Sequence, residues 1–210
     1  MKQLVLVVLT VTAASAQMVH ELPFASKDNS LELVVENSAS LAARNVTIQV
    51  VAVPAWIHLE SRDQAVGQIP GNQEAVTSFK FSVDKSAPVQ KEDVISFAVV
   101  SETGQRWTKE IRVSVAPPAE FSLFQNYPNP FNPTTIVGYQ LAAESKVRLS
   151  AYDLLGREVI ILADGDKSAG YHTETLSATE LASGVYILRL VASHRAGKEF
   201  ASQRMMTVVK

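Results

Sequence analysis

The sequence of 210 residues contains no cysteine. Without thiols the chain forms no disulfides, Cys-ligated zinc sites or iron–sulfur clusters, and it has no thiol nucleophile. A secreted chain of this kind must therefore be stabilised by ordinary hydrophobic cores. Apolar residues make up 47% and charged residues 19% of the chain, which excludes both a disordered solvating chain and a membrane-spanning bundle.

The sequence also lacks runs of like-charged residues. The chain has 19 Lys and Arg against 21 Asp and Glu, which gives a formal net charge of −2. A protein that reads a phosphate backbone needs a clustered basic face, and no such run occurs. Nucleic acid is therefore not expected as a partner.

Motifs for catalysis and metal binding are likewise missing. The sequence has neither a Gly-x-Ser-x-Gly elbow nor a phosphate-binding Gly-x-x-x-x-Gly-Lys loop. Asp164-Gly165-Asp166 lacks the further acidic positions of a calcium loop and predicts a turn. The sequence predicts no catalytic residue, cofactor or metal site. A pair of carboxylates for glycoside cleavage stays an open alternative. The histidines show no metal-ligand spacing: His20, His58, His172 and His194.

No apolar run reaches the about 20 residues that a helix needs to cross a bilayer. The apolar run that follows Lys2 ends at Ala14-Ser15-Ala16. A positive start, a short apolar stretch and small residues at the exit are typical of a secretory signal peptide. Residues 1–16 are thus predicted as a signal peptide, cleaved between Ala16 and Gln17. The alternative is a buried first strand, because Val and Leu also suit that role.

Residues 17–116 show short apolar runs separated by turn residues, which is typical of β-sandwiches rather than of βαβ units. Val46, Ile48 and Val50, for example, alternate with polar residues. No stretch shows a sustained helical apolar stripe. The pattern predicts about six or seven strands, as in an immunoglobulin-like domain, with these segments as candidates: 31–35, 45–53, 56–59, 77–83, 94–100 and 107–115.

Adjacent prolines divide the chain at residues 117–120, because proline removes backbone donors and stops strand pairing. The strand rhythm resumes in residues 121–210, with glycine-containing turns at 155–156, 183–184 and 196–197. The predicted fold class is all-β, with two immunoglobulin-like antiparallel β-sandwiches in tandem. The candidate strands of the second sandwich are 136–141, 147–153, 158–162, 171–176, 185–192 and 200–209.

A proline- and asparagine-rich segment opens the second half. Its three X–Pro steps favour extended geometry for the residues before each proline, and asparagine side chains can satisfy nearby backbone groups. Phe124, Tyr127 and Phe131 are apolar anchors that could pin this segment, the strap, across the sandwich. From the residues alone the strap, Gln125 to Thr135, is a structural element.

The second half also resembles a known family. The strap, then 152–159, then 181–186, then a close at Lys210 resemble, in spacing and order, the type IX secretion system C-terminal sorting domain, type A. They are similar as well to the immunoglobulin-like C-terminal domain of flagellar hook-capping proteins, but residues 17–116 resemble no flagellar assembly domain. The motif residues are Asn126, Tyr127, Pro128, Asn129, Pro130, Phe131, Asn132, Pro133, Gly156, Gly184, Val185, Tyr186 and Lys210.

The resemblance implies a bacterial export route. Such proteins cross the inner membrane by a cleavable signal and are recognised in the periplasm by an outer-membrane type IX translocon. A sortase-like peptidase then usually removes the tail, and the cargo is released or attached to surface lipopolysaccharide. Residues 184–186 and the terminal strand are the implied recognition elements. A terminal strand would offer unpaired edge groups to such a partner.

The first half contains both tryptophans, Trp56 and Trp107, as candidate ligand contacts. A sandwich commonly buries a tryptophan in its core, and Trp56, which follows Pro54-Ala55, is the candidate for that position; we expect at least one of the two to be buried. An exposed indole can stack on a sugar ring or on a partner protein. Pro54-x-Trp56, Ile69-Pro70-Gly71 and Phe79-x-Phe81-x-Val83 resemble the immunoglobulin-like modules found beside bacterial carbohydrate-active enzymes.

The sequence therefore predicts a secreted or cell-surface bacterial protein that is not an enzyme. Its passenger, residues 17–116, is expected to serve binding or adhesion, with a glycan or a protein as ligand. One alternative is a carbohydrate-binding accessory module. Another is a periplasmic or envelope structural protein with a hook-capping-like domain whose tail is retained.

Overall fold

The computed structural model describes residues 4–9, 18–194 and 199–210. All regular structure in these ranges is β-strand, so none of the described residues forms a helix that could span a membrane. The chain divides into two compact units, Met1–Ala116 and Pro117–Lys210. Each unit packs two sheets against each other, which confirms the predicted all-β sandwich class.

Unit 1 contains a four-stranded sheet in the order β1-β3-β7-β5 and a five-stranded sheet in the order β2-β9-β8-β4-β6. The pairs β1–β3 and β2–β9 are parallel and the other pairs antiparallel. Its strands are β1 (Leu4–Leu9), β2 (Val19–Leu22), β3 (Asn29–Asn37), β4 (Ala43–Ala52), β5 (Ile57–Leu59), β6 (Asp63–Ile69), β7 (Gln73–Val83), β8 (Asp93–Val100) and β9 (Arg106–Val115).

The core of unit 1 follows from the two-residue period of its strands. Val46, Ile48 and Val50 of β4 are all buried, as their alternation predicts. They face the other sheet, and between the two sheets Phe79 of β7 packs against Phe97 of β8, the neighbour of β4, with ring centroids 5.6 Å apart. All six strands predicted here are present, each within a few residues of its predicted bounds.

Two strands of unit 1, β6 and β2, were not predicted. β6 is an edge strand and buries only Ile69 fully, so its sequence carries little alternation. β2 has four residues. Leu4–Leu9, the apolar run of the predicted signal peptide, forms β1 and pairs with β3, in agreement with the alternative prediction of a first strand. Ala14, Ala16 and Gln17 lie outside the described residues, so cleavage stays a prediction.

Unit 2 packs a three-stranded sheet, β10-β11-β14, against a four-stranded sheet, β13-β12-β15-β16, and all its strand pairs are antiparallel. The core is made of alternating residues such as Val147, Leu149 and Ala151 of β12. The strands are β10 (Ser122–Leu123), β11 (Thr134–Leu141), β12 (Ser145–Tyr152), β13 (Glu158–Lys167), β14 (Gly170–Ser177), β15 (Gly184–His194) and β16 (Glu199–Val208).

The turn predicted at Asp164-Gly165-Asp166 is wrong. These residues lie inside β13 and pair with Lys146 to Arg148 of β12. Glycine between two aspartates is typical of a turn, but a bulge after Leu149 keeps β13 in register and extends the pairing. The turn predicted at 155–156 is present, and the one at 196–197 lies outside the described residues.

Candidate functional site

The elements of the sorting motif meet at one end of the four-stranded sheet of unit 2. Gly184–Tyr186, where β15 begins, pair with Met206–Val208, where β16 ends. Tyr152, the last residue of β12, lies opposite Ile187 of β15. The turn after β12, which contains Gly156, therefore lies at the same end. We call this region the motif end: the turn 153–157, residues 184–186, residues 205–210 and the strap.

The strap is the outer neighbour of the terminal strand. The Asn129 side chain accepts a hydrogen bond from the Thr207 amide through Oδ1, at 2.8 Å. The Phe131 amide donates to the Thr207 carbonyl at 3.1 Å, and the Val209 amide donates to the Phe131 carbonyl at 3.0 Å. A side chain and a stretch of backbone thus complete the edge of β16. The prediction of an unpaired terminal edge is wrong over residues 207–209, because the strap satisfies these groups.

A buried polar network fixes the shape of the strap. Asn126 is fully buried, and its Nδ2 donates to the Pro128 carbonyl and to Thr135 Oγ1, each at 3.0 Å. Thr135 Oγ1 in turn donates to the same carbonyl at 2.7 Å. Gln125 Nε2 donates both to Asn126 Oδ1 and to the Met205 carbonyl. The predicted role of asparagine as a backbone partner is therefore realised at positions 126 and 129.

The strap is bent rather than extended. Bends lie at residues 128–130 and 132–133, and the peptide bonds before Pro128, Pro130 and Pro133 are cis. Of the three predicted anchors, only Phe131 is buried; Phe124 is partly exposed, and Tyr127 is 82% exposed. Phe131 packs in the core of unit 2, and Phe124 packs on Tyr171 with ring centroids 5.9 Å apart, so the predicted anchor role is wrong for Tyr127.

The turn between β12 and β13 is held by one carboxylate. Asp153 Oδ1 accepts from the amides of Leu155 and Arg157, both at 2.9 Å, and Oδ2 pairs with Arg157 Nε at 2.7 Å. These hydrogen bonds, the two with Arg157 above all, hold the pKa of Asp153 below its ordinary value. Gly156 has φ of +80°, which side chains disfavour. The Asp and Gly of this segment are thus needed for its geometry.

The chain terminus is tied to the same end of the sheet. The Lys210 amide donates to Ser183 Oγ at 3.1 Å, and Lys210 Nζ donates to the Thr179 carbonyl at 3.0 Å. Tyr186 is buried, with its hydroxyl donating to the Ala182 carbonyl at 3.0 Å. Lys210 and Tyr186 therefore order the loop before β15. This loop leads directly into Gly184 and Val185, the first residues of β15.

Apolar side chains are exposed around the motif end. Val185 and Met205 lie on the outer face of the sheet, because their neighbours Tyr186 and Met206 point into the core. Leu154 and Leu155 occupy the adjoining turn. Large contiguous apolar patches on a protein surface are typical of interaction sites. The exposed large apolar residues of this region are Tyr127, Leu154, Leu155, Val185, Met205 and Val209.

In unit 1 the two tryptophans occupy different environments. Trp56 is buried in the core, and its Nε1 donates to Asp93 Oδ2 at 3.4 Å. Its predicted role as a ligand contact is therefore wrong, since its ring faces the interior. Trp107 is 41% exposed. Of the two candidates, it alone offers its ring to a ligand.

Trp107 lines an open cleft at one end of the sandwich. The cleft has a volume of about 980 Å³. Trp107 lies on the same side of β9 as the core residues Ile111 and Val113 and is paired with Val99 of β8. Its ring therefore faces the gap between the two sheets rather than the outer surface. The cleft was not predicted from the sequence. Residues 107, 111 and 113 are all odd-numbered positions of one strand, however, so Trp107 points to the same side of β9 as the buried Ile111 and Val113.

The cleft has an apolar interior and a charged mouth. Its walls come from the end of β3, the start of β4, the ends of β6 and β8 and the start of β9. Buried apolar residues form the inside: Val35, Val46, Ile69 and Val99. Exposed residues of both charge signs surround the opening: Arg44, Glu102 and Arg106.

Residues 18–194 and 199–210 contain no group of three His, Asp or Glu side chains placed to hold a metal ion. His58 lies 3.9 Å from Asp84, and His172 contacts the Ser168 carbonyl. In the fold these two histidines therefore belong to surface contacts.

One family model matches the chain. Residues 125–200 match the family described as secretion system C-terminal sorting domain. The match begins in the strap and covers the turn 153–157 and residues 184–186. Unit 2 therefore carries a type IX C-terminal sorting domain, which indicates export to the cell surface or secretion. No curated protein matches the chain.

Solved structures resemble the chain at low identity. Dimeric latent PorU from Porphyromonas gingivalis is 13% identical over 86% of this chain, with a TM-score of 0.34. The YadV chaperone is 9% identical over 89% of this chain and 96% of its own, with a TM-score of 0.31. A tetra-tandem repeat of a large adhesion protein is 12% identical over 85% of this chain and 50% of its own, with a TM-score of 0.34. This chain spans 18% of the PorU chain.

Proposed function

We propose that this chain is a secreted or cell-surface protein without enzymatic activity, exported through the type IX outer-membrane translocon by its second unit. The observation that carries the proposal is the convergence of the motif elements on the motif end. Segments from residues 125 to 210 meet there through backbone pairing and side-chain hydrogen bonds. Recognition by shape needs such an assembled surface rather than a linear signal.

The surface read by the translocon is proposed to be the exposed apolar face of the motif end. Val185 and Met205 present side chains outward from neighbouring strands, and Leu154 and Leu155 extend this surface at the adjoining turn. Burial of such groups by a partner contributes about 25 cal/mol per Å² of apolar area. The strap holds β16, which carries Met205, in place. It thereby fixes the geometry of the exposed apolar surface.

The proposed route has three steps. Residues 1–16 act as a signal peptide and are cleaved between Ala16 and Gln17. The translocon then recognises unit 2. A sortase-like peptidase removes the tail near residues 117–120, after which unit 1 is attached to lipopolysaccharide or released. The apolar run with its Ala-x-Ala exit and the sorting domain support this order.

Unit 1 is proposed to be the passenger, with a role in binding or adhesion to a glycan or a protein. The Trp107 cleft supports a binding role, because it is open and combines an aromatic ring with apolar walls. A carbohydrate-binding module is the second candidate, since an exposed indole can stack on a sugar. An envelope structural protein is the third, in which case the tail is retained.

A reporter fusion tests the export proposal. A folded reporter is placed between a signal peptide and residues 117–210 and expressed in a type IX-competent bacterium. We expect protease-accessible reporter at the cell surface, and periplasmic reporter in a strain without the translocon. Retention of the fusion in the periplasm of the competent strain, while the full chain is exported, would show that unit 2 is not sufficient.

Point variants test the recognition surface. Val185→Lys and Met205→Lys place charge on the exposed face without touching the core, so we expect each to lower surface display at least fivefold. Ile136→Lys is the matched control, since Ile136 is also exposed but lies on the other sheet of unit 2. Equal export of all three variants, with unchanged melting temperatures, would contradict the assignment of this face.

A further inference from the structure

We infer that processed unit 1 is a strand acceptor, which binds an extended apolar peptide along the edge of β3 with the peptide leading into the Trp107 cleft. The inference rests on the proposed function, because it requires the removal of residues 1–16. It goes further in naming the ligand class of the passenger, an uncharged polypeptide segment in β conformation.

The uncleaved chain contains an example of such a peptide. Leu4–Leu9 consists of six apolar residues and pairs with β3 in parallel, with Leu9 opposite Val35. Cleavage after Ala16 removes this strand and leaves the backbone groups on that edge of β3 without their partner. An open edge is a template for another strand.

The sequence of β3 favours an apolar addition. Leu33, Val34 and Val35 are consecutive and buried, so apolar groups occupy both faces of this strand. On the core-facing side, polar residues of an added strand would lie beside Leu33 and Val35 without hydrogen-bond partners, which costs free energy. On the outer face they would stay hydrated, because Val76, opposite Val34, is 63% exposed. A strand with apolar residues toward the core therefore extends the sheet and buries those side chains.

The direction of the pairing leads the peptide to the cleft. Because β1 runs parallel to β3, its last residue lies at Val35, and Val35 to Ala39 form one wall of the cleft. On the opposite wall, β2 pairs with β9 only from Arg112 to Val115 among the described residues. The part of β9 that carries Trp107 precedes this pairing, so β2 does not pair with it.

The cleft favours a peptide over a glycan. Trp107 faces the gap between the sheets, and buried Val46, Ile69 and Val99 form the interior. A glycan needs hydrogen-bond partners for its hydroxyl groups, and an apolar interior supplies few of them. The main-chain pairing of an added strand gives affinity, while pockets for its side chains give specificity.

The test uses residues 17–210 and a peptide of residues 4–11 carrying two added N-terminal lysines for solubility. We expect saturable binding, with a blue shift of tryptophan emission that is lost in Trp107→Phe. A peptide with the same side chains and N-methyl groups at alternate amides should bind at least tenfold more weakly. Absence of binding, equal binding of the methylated peptide, or a shift with a polysaccharide panel only would overturn the inference.

Variants and the full chain separate the possible failures. Trp107→Ala should weaken peptide binding at least fivefold, whereas Val51→Ala, an exposed apolar residue outside the cleft, should not. The chain 1–210 should not bind, because β1 occupies the edge. If the native N-terminus proves to be Gln17 and 17–210 does not bind, the strand-acceptor inference fails while the export proposal stands. If residues 1–16 are retained, the proposed processing itself fails.

Discussion

At the scale of single residues, asparagine side chains replace backbone at the edge of the terminal strand. Asn129 Oδ1 accepts from the Thr207 amide at 2.8 Å, and Nδ2 donates to the Met205 carbonyl at 3.3 Å. One amide group thus pairs with both a donor and an acceptor of β16. This pairing joins residues that lie far apart in the sequence.

Asn129→Ala is expected to destabilise unit 2 by about 1–2 kcal/mol, because it removes two hydrogen bonds to the backbone. The measurement is urea unfolding of residues 17–210. Asn132→Ala is the matched control: Asn132 also precedes a proline and is exposed, and its side chain forms no hydrogen bond within the described residues. Similar losses in both variants would argue against a specific role of Asn129.

Residue types were easier to predict than residue environments. The sequence favoured burial of at least one tryptophan, with Trp56 as the candidate core residue, but both indoles stayed candidate ligand contacts. Trp56, which directly precedes β5, is buried in the core, and Trp107 is exposed because it lies near the start of β9 in the open cleft. Similarly, the order of the motif was visible, but the contact of Asn129 with Thr207 depends on chain folding that no local pattern encodes.

At the scale of elements, the β12–β13 hairpin depends on ionised carboxylates. Arg148 of β12 pairs with Glu158 Oε2 at 2.8 Å and Asp164 Oδ2 at 2.5 Å, both on β13. The hydrogen bond from Arg148 holds the pKa of Glu158 below its ordinary value. Asp153, at the turn, has a lowered pKa through its hydrogen bonds to Arg157. These charged groups stabilise the pairing of β13, an edge strand with a bulge, with β12.

Acid is therefore expected to weaken this hairpin. A carboxylate whose pKa is lower in the folded than in the unfolded chain stabilises above its ordinary pKa of about 4, and this stabilisation is lost as the pH falls through the folded value. The melting temperature of unit 2 should fall between about pH 5 and pH 3. Asp153→Asn and Glu158→Gln should each flatten that fall, whereas Glu180→Gln, an exposed turn residue, should not. Equal slopes in all variants would contradict the prediction.

Elements with clear alternation could be predicted, and those without it could not. β4, β7 and β9 bury alternate residues on one face, so their sequences identify them. β6 is an edge strand with little burial, and the Asp-Gly-Asp of β13 imitates a turn. In both cases the partner strand decides the structure, and the partner cannot be inferred from a local window.

At the scale of the whole molecule, the two units have separate cores. Leu149 belongs to the core of unit 2, and Ile48 belongs to that of unit 1. No residue is shared between the two clusters, so each unit buries its own apolar groups. Separate cores allow unit 2 to fold without unit 1, as an autonomous export signal requires.

Calorimetry of residues 17–210 should accordingly show two unfolding transitions. Leu149→Ala removes buried methyl groups and costs about 2–5 kcal/mol, so it should lower only the transition of unit 2 and should also reduce surface display. Ile48→Ala should lower only the transition of unit 1, and surface display through the folded unit 2 should be unchanged. A single transition shifted by both variants would mean that the units unfold together. In that case unit 2 could not act as an autonomous signal, because its shape would depend on the passenger it exports.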